Sequence, residues 1–173
     1  MPREPFHQAL ASARAWEMRV AAWLQARGYL ILPVYDYSGA ANNKAPRLEA
    51  ASDAGSLVMP DLLVAKGGKT FFVEIKTKTR ADWTRISEQW ETGIDGRLWS
   101  HYLRVTEATG LPVWLVFVHL KEKSVLCNSL VELRPLARSY DGGRLGKQGM
   151  VFFPFDALRQ IATLDELVGQ EAA

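Results

Sequence analysis

Asp61, Glu74 and Lys76 stand where chemistry is least expected, in the stretch MPDLLVAKGGKTFFVEIKTKT from Met59 to Thr79. The stretch reads as two apolar strands joined by Gly67-Gly68, and acids and lysine are poor choices for strands otherwise built from Leu, Val, Phe and Ile. Glycine reaches positive φ at little cost, so Gly67-Gly68 between Lys66 and Lys69 suits a two-residue type I′ or II′ turn. That turn sets a register in which Asp61 lies directly opposite Glu74. The pair belongs to the non-hydrogen-bonded class, with Cα atoms about 4.5 Å apart. Period-2 alternation puts Lys76 on the face of Glu74 and leaves Leu62, Val64, Phe71, Val73 and Ile75 as an unbroken apolar set on the other. Opposed carboxylates repel each other. A fold keeps them most readily with a cation between them, and carboxylate oxygens are hard ligands suited to Mg²⁺ or Mn²⁺. The competing reading is plainer: two solvated acids on an exposed sheet face, with Lys76 as a surface counter-ion.

The elements around this hairpin follow from periodicity. From Phe6 to Arg27 the residues Leu10, Ala13, Val20 and Leu24 recur at helical spacing, and Gly28 is a stop signal. Glu17 falls within that apolar stripe, facing the core side, although an ion pair with Arg14 would also account for it. YLILPVYDY (29–37) reads as a strand whose Pro33 implies an edge or a bulge. Residues 38–56 are small and polar, a long loop. A segment rich in charge and tryptophan follows (77–96), then a helix from Arg97 to Thr109 closed by Gly110. Tyr102 shares a stripe with Leu98 and Val105, which assigns it to packing. LPVWLVFVHL (111–120) is apolar almost throughout, as expected of a strand buried on both faces. SVLCNSLVEL (124–133) reads as a further strand, 139–149 as a loop, MVFFP as a short strand and Phe155 to Val168 as helical turns. Thr163 and Glu166 have capping-box spacing.

Composition bounds the rest. The chain has 173 residues, 48% of them hydrophobic, with a formal charge of +2 and one cysteine. That suffices for one domain over 1–173 with a real core, and a mildly basic balance permits a polyanionic partner without requiring one. A single cysteine excludes a disulfide framework, and Cys127 reads as small core filler. No apolar run is long enough for a membrane span and no signal peptide is visible, so the expectation is a cytoplasmic protein without membrane association.

Pro60-Asp61 followed by Glu74-Ile75-Lys76, preceded by a helix bearing Glu17, resembles the PD-(D/E)XK nuclease superfamily, which includes restriction endonucleases and Holliday junction resolvases. The resemblance covers the core at about residues 6–120; 121–173 read as C-terminal strand and helix additions. It implies an α/β fold with an αβββαβ core, a mixed central sheet flanked by helices. It also implies a Mg²⁺-dependent nuclease, Mn²⁺ serving as substitute, that hydrolyses phosphodiester bonds in DNA. Asp61, Glu74 and the Ile75 carbonyl would be the metal ligands and Glu17 a further acid acting through water or a second metal. Lys76 would orient or deprotonate water, or stabilise the phosphorus centre. Two other readings stay open: a silent nuclease-fold protein that binds nucleic acid or acts as a scaffold, and a nuclease directed at RNA. Homodimers occur in the superfamily, so a second copy of the chain is a further candidate partner.

Around this centre Lys66, Lys69, Lys76, Lys78 and Arg80 face only one acid, Glu74, over residues 66–80. Such a patch is what phosphate contact requires, and Lys66, Lys69, Lys78 and Arg80 are the candidate nucleic-acid contacts. Trp83 and Trp90, interleaved with Arg85, have the chemistry to stack on unpaired bases, and equally that of sheet packing.

Overall fold

The computed structural model describes residues 6–34, 47–48, 55–139 and 149–169, with side chains from residue 13 onward in the first helix. Helix α1 spans Phe6–Ala26 and strand β1 Leu30–Pro33. A short pair follows, β2 Arg47–Leu48 with β3 Leu57–Val58. Then come β4 Leu62–Lys66, β5 Lys69–Lys78, β6 Asp82–Thr84, β7 Gln89–Asp95, α2 Gly96–Thr109, β8 Val113–His119 and β9 Ser124–Ser129. The chain ends with α3 Leu130–Leu133, β10 Arg138–Ser139, β11 Met150–Pro154, β12 Arg159–Thr163 and α4 Leu164–Val168.

Six strands in the order β1-β4-β5-β8-β9-β12 form a mixed sheet in which only β5 and β8 run parallel. The crossover between them contains α2, as a parallel connection requires. Val20, Trp23 and Leu24 of α1 and Leu167 of α4 cover one face, packing on Leu62, Val64, Val73, Ile75, Val116 and Val118. The other face carries Phe72, Leu115 and Phe117 and packs on Trp99, Tyr102 and Val105 of α2. Ile94 and Phe153 join this second core from a four-stranded sheet of order β10-β11-β7-β6.

Local sequence accounts for the boundaries. Gly67 and Gly68 take φ of +57° and +74°, the two positive values of a type I′ turn, and Lys66 pairs with Lys69 across it. Pro33 lies on the edge strand β1, where its missing N–H costs nothing. Asp95 caps α2 by accepting from Arg97 N at 2.8 Å, and Gly110 ends it at φ +70°. The Thr163–Glu166 capping box is formed at the start of α4.

The segment rich in charge and tryptophan holds the end of β5 and then, over 82–95, the β6–β7 hairpin of the second sheet. Two expectations need correction. Phe155 to Val168 is not helical throughout, because 159–163 pair with the free edge of β9; tertiary pairing overrides the local pattern there. The strand expected over 124–133 stops at Ser129, whose hydroxyl caps α3 by accepting from Glu132 N at 3.3 Å. Most of the loop readings, at 38–56 and 139–149, and the end of the first strand beyond residue 34 lie outside the described residues. Among those residues, no helix is long and apolar enough to cross a membrane.

Candidate active site

Strand β5 outruns β4. The antiparallel ladder stops at Leu62↔Val73, while β5 continues to Lys78 against β8 on its other side. Residues 74–78 of β5 therefore border an opening where β4 would have continued. By the register of the hairpin, Pro60 would stand opposite Ile75. Proline has no N–H to return to the Ile75 carbonyl, so the ladder cannot close there. Asp61 replaces it with its side chain: Oδ2 accepts from Ile75 N at 2.7 Å. The Asp61 carbonyl accepts from Val34 N at 2.8 Å. Held through backbone and carboxylate, Asp61 is fixed between β1 and β5.

Asp61 is 6% exposed and Glu74 1%, which removes the reading of solvated acids on an open face. On this side of β5, Phe72 packs with α2 and with Ile94 and Phe153 of the second sheet. Glu74 Oε1 forms an ion pair with Lys76 Nζ, and Oε2 is buried without a hydrogen-bond partner. Burial drives the Asp61 carboxyl well above the usual carboxylate range; Glu74 pushes it further, Lys76 opposes, Glu17 adds to the rise and the Ile75 N–H opposes it. At Lys76 burial lowers the pKa, but attraction to Glu74 and Asp61, the bond to Glu74 and the charge of Glu17 outweigh it, and the net shift is upward. Glu17, half-buried on the inner stripe of α1, thus acts electrostatically on both. The fold brings Asp61, Glu74, Lys76 and Glu17 into one field.

The basic patch is not brought together in the same way. Lys69 and Lys78 sit at opposite ends of β5, about 30 Å apart at strand rise. Lys66 Nζ donates to Arg27 O at 2.6 Å and lies 4.6 Å from the Tyr29 ring centroid. Lys78, by contrast, shares the face of Glu74 and Lys76. Burial and the neighbouring Lys76 lower its pKa, and Asp82 partly offsets them. Arg80 is exposed just beyond it.

Sequence reasoning missed the group behind Lys78. His119, fully buried, pairs with Lys78 across the parallel ladder, and its Nδ1 lies 3.6 Å from Glu122 Oε2. Glu122 Oε1 accepts from Ala81 N at 3.1 Å, anchoring the chain as it leaves β5. No sequence signal could have found this contact, since it depends on β8 lying beside β5. Tyr102 is buried in packing, as expected, and His101 Nδ1 accepts from Val58 N at 3.5 Å. Cys127 is buried, and its thiol is pushed up to about 11 by burial.

The donors fit a hard divalent cation. Two buried carboxylates repel each other, one of their oxygens lacks a partner, and a strand carbonyl beside them has lost the N–H that would have claimed it. Among the described residues no group of three His, Cys, Asp or Glu side chains is placed to bind a metal, so a backbone oxygen or water must complete any shell.

Charge strain here has a sign. A carboxyl whose pKa is higher in the folded state than its unfolded value of about 3.9 binds protons better when folded. The cation-free protein therefore loses this contribution as pH rises from about 4 through the raised pKa. Asp61→Asn keeps an acceptor for Ile75 N–H and removes the charge. We expect it to melt a few degrees above wild type in EDTA at pH 8, each 1 kcal/mol moving Tm by about 2–4 °C at this size. The margin should shrink towards pH 4. His101 and His119, both lowered by burial, oppose the trend below about pH 6.5, so the variant-minus-wild-type difference is the quantity to follow by calorimetry. A difference independent of pH removes Asp61 as its source.

Comparison with solved structures finds the same architecture elsewhere. The Holliday junction resolvase Hjc of the archaeal hyperthermophile Archaeoglobus fulgidus aligns over 83% of this chain and 89% of its own, at TM-score 0.50 and 9% identity. A nuclease from a fusselovirus aligns over 99% of this chain and 96% of its own, at TM-score 0.42 and 11% identity. No family model and no curated protein sequence matches the chain. At 9% identity the likeness to the resolvase is one of fold.

Proposed function

We propose, from the PD-(D/E)XK nuclease fold and the buried cluster it carries, that the chain is a metal-dependent nuclease hydrolysing phosphodiester bonds in DNA. The observation that carries the reading is the buried pair Asp61 and Glu74, with an unpartnered oxygen on Glu74 and Lys76 alongside. A structural role explains such an arrangement poorly, since burying carboxylates costs stability unless they are fully paired. DNA is favoured because the resolvase of shared fold is named for a DNA junction.

Asp61, Glu74 and the Ile75 carbonyl would hold the cation, which when bound supplies charge at the scissile phosphate and a water acidified towards neutral pH. Lys76, whose ammonium form Glu74 and Asp61 favour, would donate a hydrogen bond and positive charge to the attacking water or the phosphate oxygens. Glu17 orients water at the rim of the cluster. Lys78 and Arg80 contact phosphates next to the scissile one; Lys66 and Lys69, at the β4–β5 turn, reach flanking duplex.

The test is cleavage of supercoiled plasmid, forked oligonucleotides and RNA with Mg²⁺, Mn²⁺ or EDTA. DNA should be cut only with a cation. Neutralising Lys78 and Arg80 should flatten log K against log[salt] on duplex by about 0.9 per lost contact. Failure to cut any substrate with either ion would put a silent nucleic-acid-binding protein in the nuclease's place.

A further inference from the structure

The β6–β7 hairpin carries an aromatic surface that the proposed hydrolysis does not use. Trp83 and Trp90 are direct cross-strand partners, each 51% exposed, and Ile86 in the connecting loop is 82% exposed. The indoles meet edge to face, with centroids 5.5 Å apart and planes at 68°. That arrangement leaves ring faces open to a further partner.

Its placement is informative. Along β7, Trp90 shares a face with Thr92 and Ile94, and Ile94 packs into the core formed with Phe72, Leu115 and Phe117. The tryptophan pair therefore continues, beyond the packed region, the face of the second sheet that looks towards the first. The first sheet's opposing face carries Glu74, Lys76 and Lys78 in addition to Phe72. Only residues 79–81 link the end of β5 at Lys78 to the base of the hairpin at Asp82, which acts on Lys78. Trp83 lies seven positions along the chain from Lys76, at most about 25 Å of chain. That is about seven steps of a nucleic-acid strand at 3.4 Å per charge. Arg80 and Arg85, both exposed, flank the indoles with cationic groups.

The hairpin loop is tied to its strand. Buried Glu91, next to Trp90, accepts from Ser87 Oγ at 2.9 Å and Gln89 Nε2 at 3.1 Å, fastening the loop to the strand. Two half-exposed indoles, paired across the strands and flanked by arginines, present π-faces to a stacking partner.

We infer that Trp83 and Trp90 form a ledge on which unpaired bases of the substrate stack, making it a nucleic acid with single-stranded character beside the cleavage site. A fully paired duplex stacks its bases internally and offers the ledge nothing. The inference rests on the nuclease reading for the identity of the ligand but is tested by binding alone.

Fluorescence anisotropy in EDTA, with single-stranded, forked and blunt duplex oligonucleotides, reads it. Trp83→Leu with Trp90→Leu keeps apolar bulk and removes the stacking faces. We expect a loss of about tenfold per indole on single-stranded and forked substrates and little change on blunt duplex. Trp83→Phe with Trp90→Phe should restore most of the loss, which also controls for folding. Equal losses on all three substrates, or wild-type binding by the leucine variant, overturns the ledge. So does a change in sedimentation with unaltered nucleic-acid binding, which would assign the indoles to a protein contact. Selective binding without Mg²⁺-dependent cleavage would sink the nuclease reading and leave the ledge standing; cleavage with unselective binding does the reverse.

Discussion

Lys76→Ala should lower Mg²⁺-dependent cleavage by about 10²–10⁴-fold, the range for loss of a positioned proton donor or charge. Cation binding should change little, because Lys76 supplies no oxygen. The structure adds a condition on the measurement. Lys76 is the ion-pair partner of Glu74, whose side chain is 1% exposed, so truncation without a cation leaves a buried charge uncompensated. The variant should melt below wild type in EDTA and recover with Mg²⁺. Activity must therefore be compared at saturating Mg²⁺, with folding monitored by circular dichroism. Lys76→Arg distinguishes roles. An arginine cannot act as a base near neutral pH, so retained activity above that of the alanine variant marks the residue as a source of charge. Normal cutting by Lys76→Ala removes it from the mechanism.

The hairpin was legible because its determinants are local. Gly67-Gly68 sets the turn, the turn sets the register, and the register pairs Leu62 with Val73. The approach of Asp61 to Glu74 followed from that register, but the way Asp61 is held did not. The ladder ends one pair early, and the Asp61 carboxylate turns to Ile75 N–H. Pro60 was the signal: a strand cannot continue pairing through a residue that lacks the donor.

Burial of the acids was not legible. Alternation along β5 marks one apolar face, and the sequence gives no local hint that the other is covered too. On that face Phe72 packs with α2 and with a second sheet whose β7–β11 pairing joins 91–95 to 150–154, far apart in the chain. Strand β12 escaped notice for the same reason, its conformation being imposed by the edge of β9. The lysines show the converse error. Lys66 to Arg80 form a dense basic run in sequence, yet an extended strand carries its two ends about 30 Å apart. Density along a strand is not density in space.

Glu74→Gln tests the carboxylate pair from the side that proline and the turn do not control. Glu74 pairs with Lys76 and acts on the charge of Asp61. Glutamine keeps the shape and removes the charge, so in EDTA the variant should fold as well as wild type, relieved of the repulsion on Asp61. With Mg²⁺ the order reverses. Wild type should gain thermal stability in proportion to the logarithm of cation concentration above Kd, as a ligand binding only the folded state requires. The variant should gain almost none at the same concentrations. Loss of partners outside a metal's own shell costs about 10–100-fold in affinity, so loss of a ligand should exceed about 100-fold. Cleavage should fall with it, and raising Mg²⁺ should rescue Glu74→Gln partly while leaving Lys76→Ala unrescued. Calorimetric titration beside cleavage rates separates the two. If Glu74→Gln binds Mg²⁺ as wild type does, Glu74 is no ligand, and the buried pair then requires an explanation other than a metal.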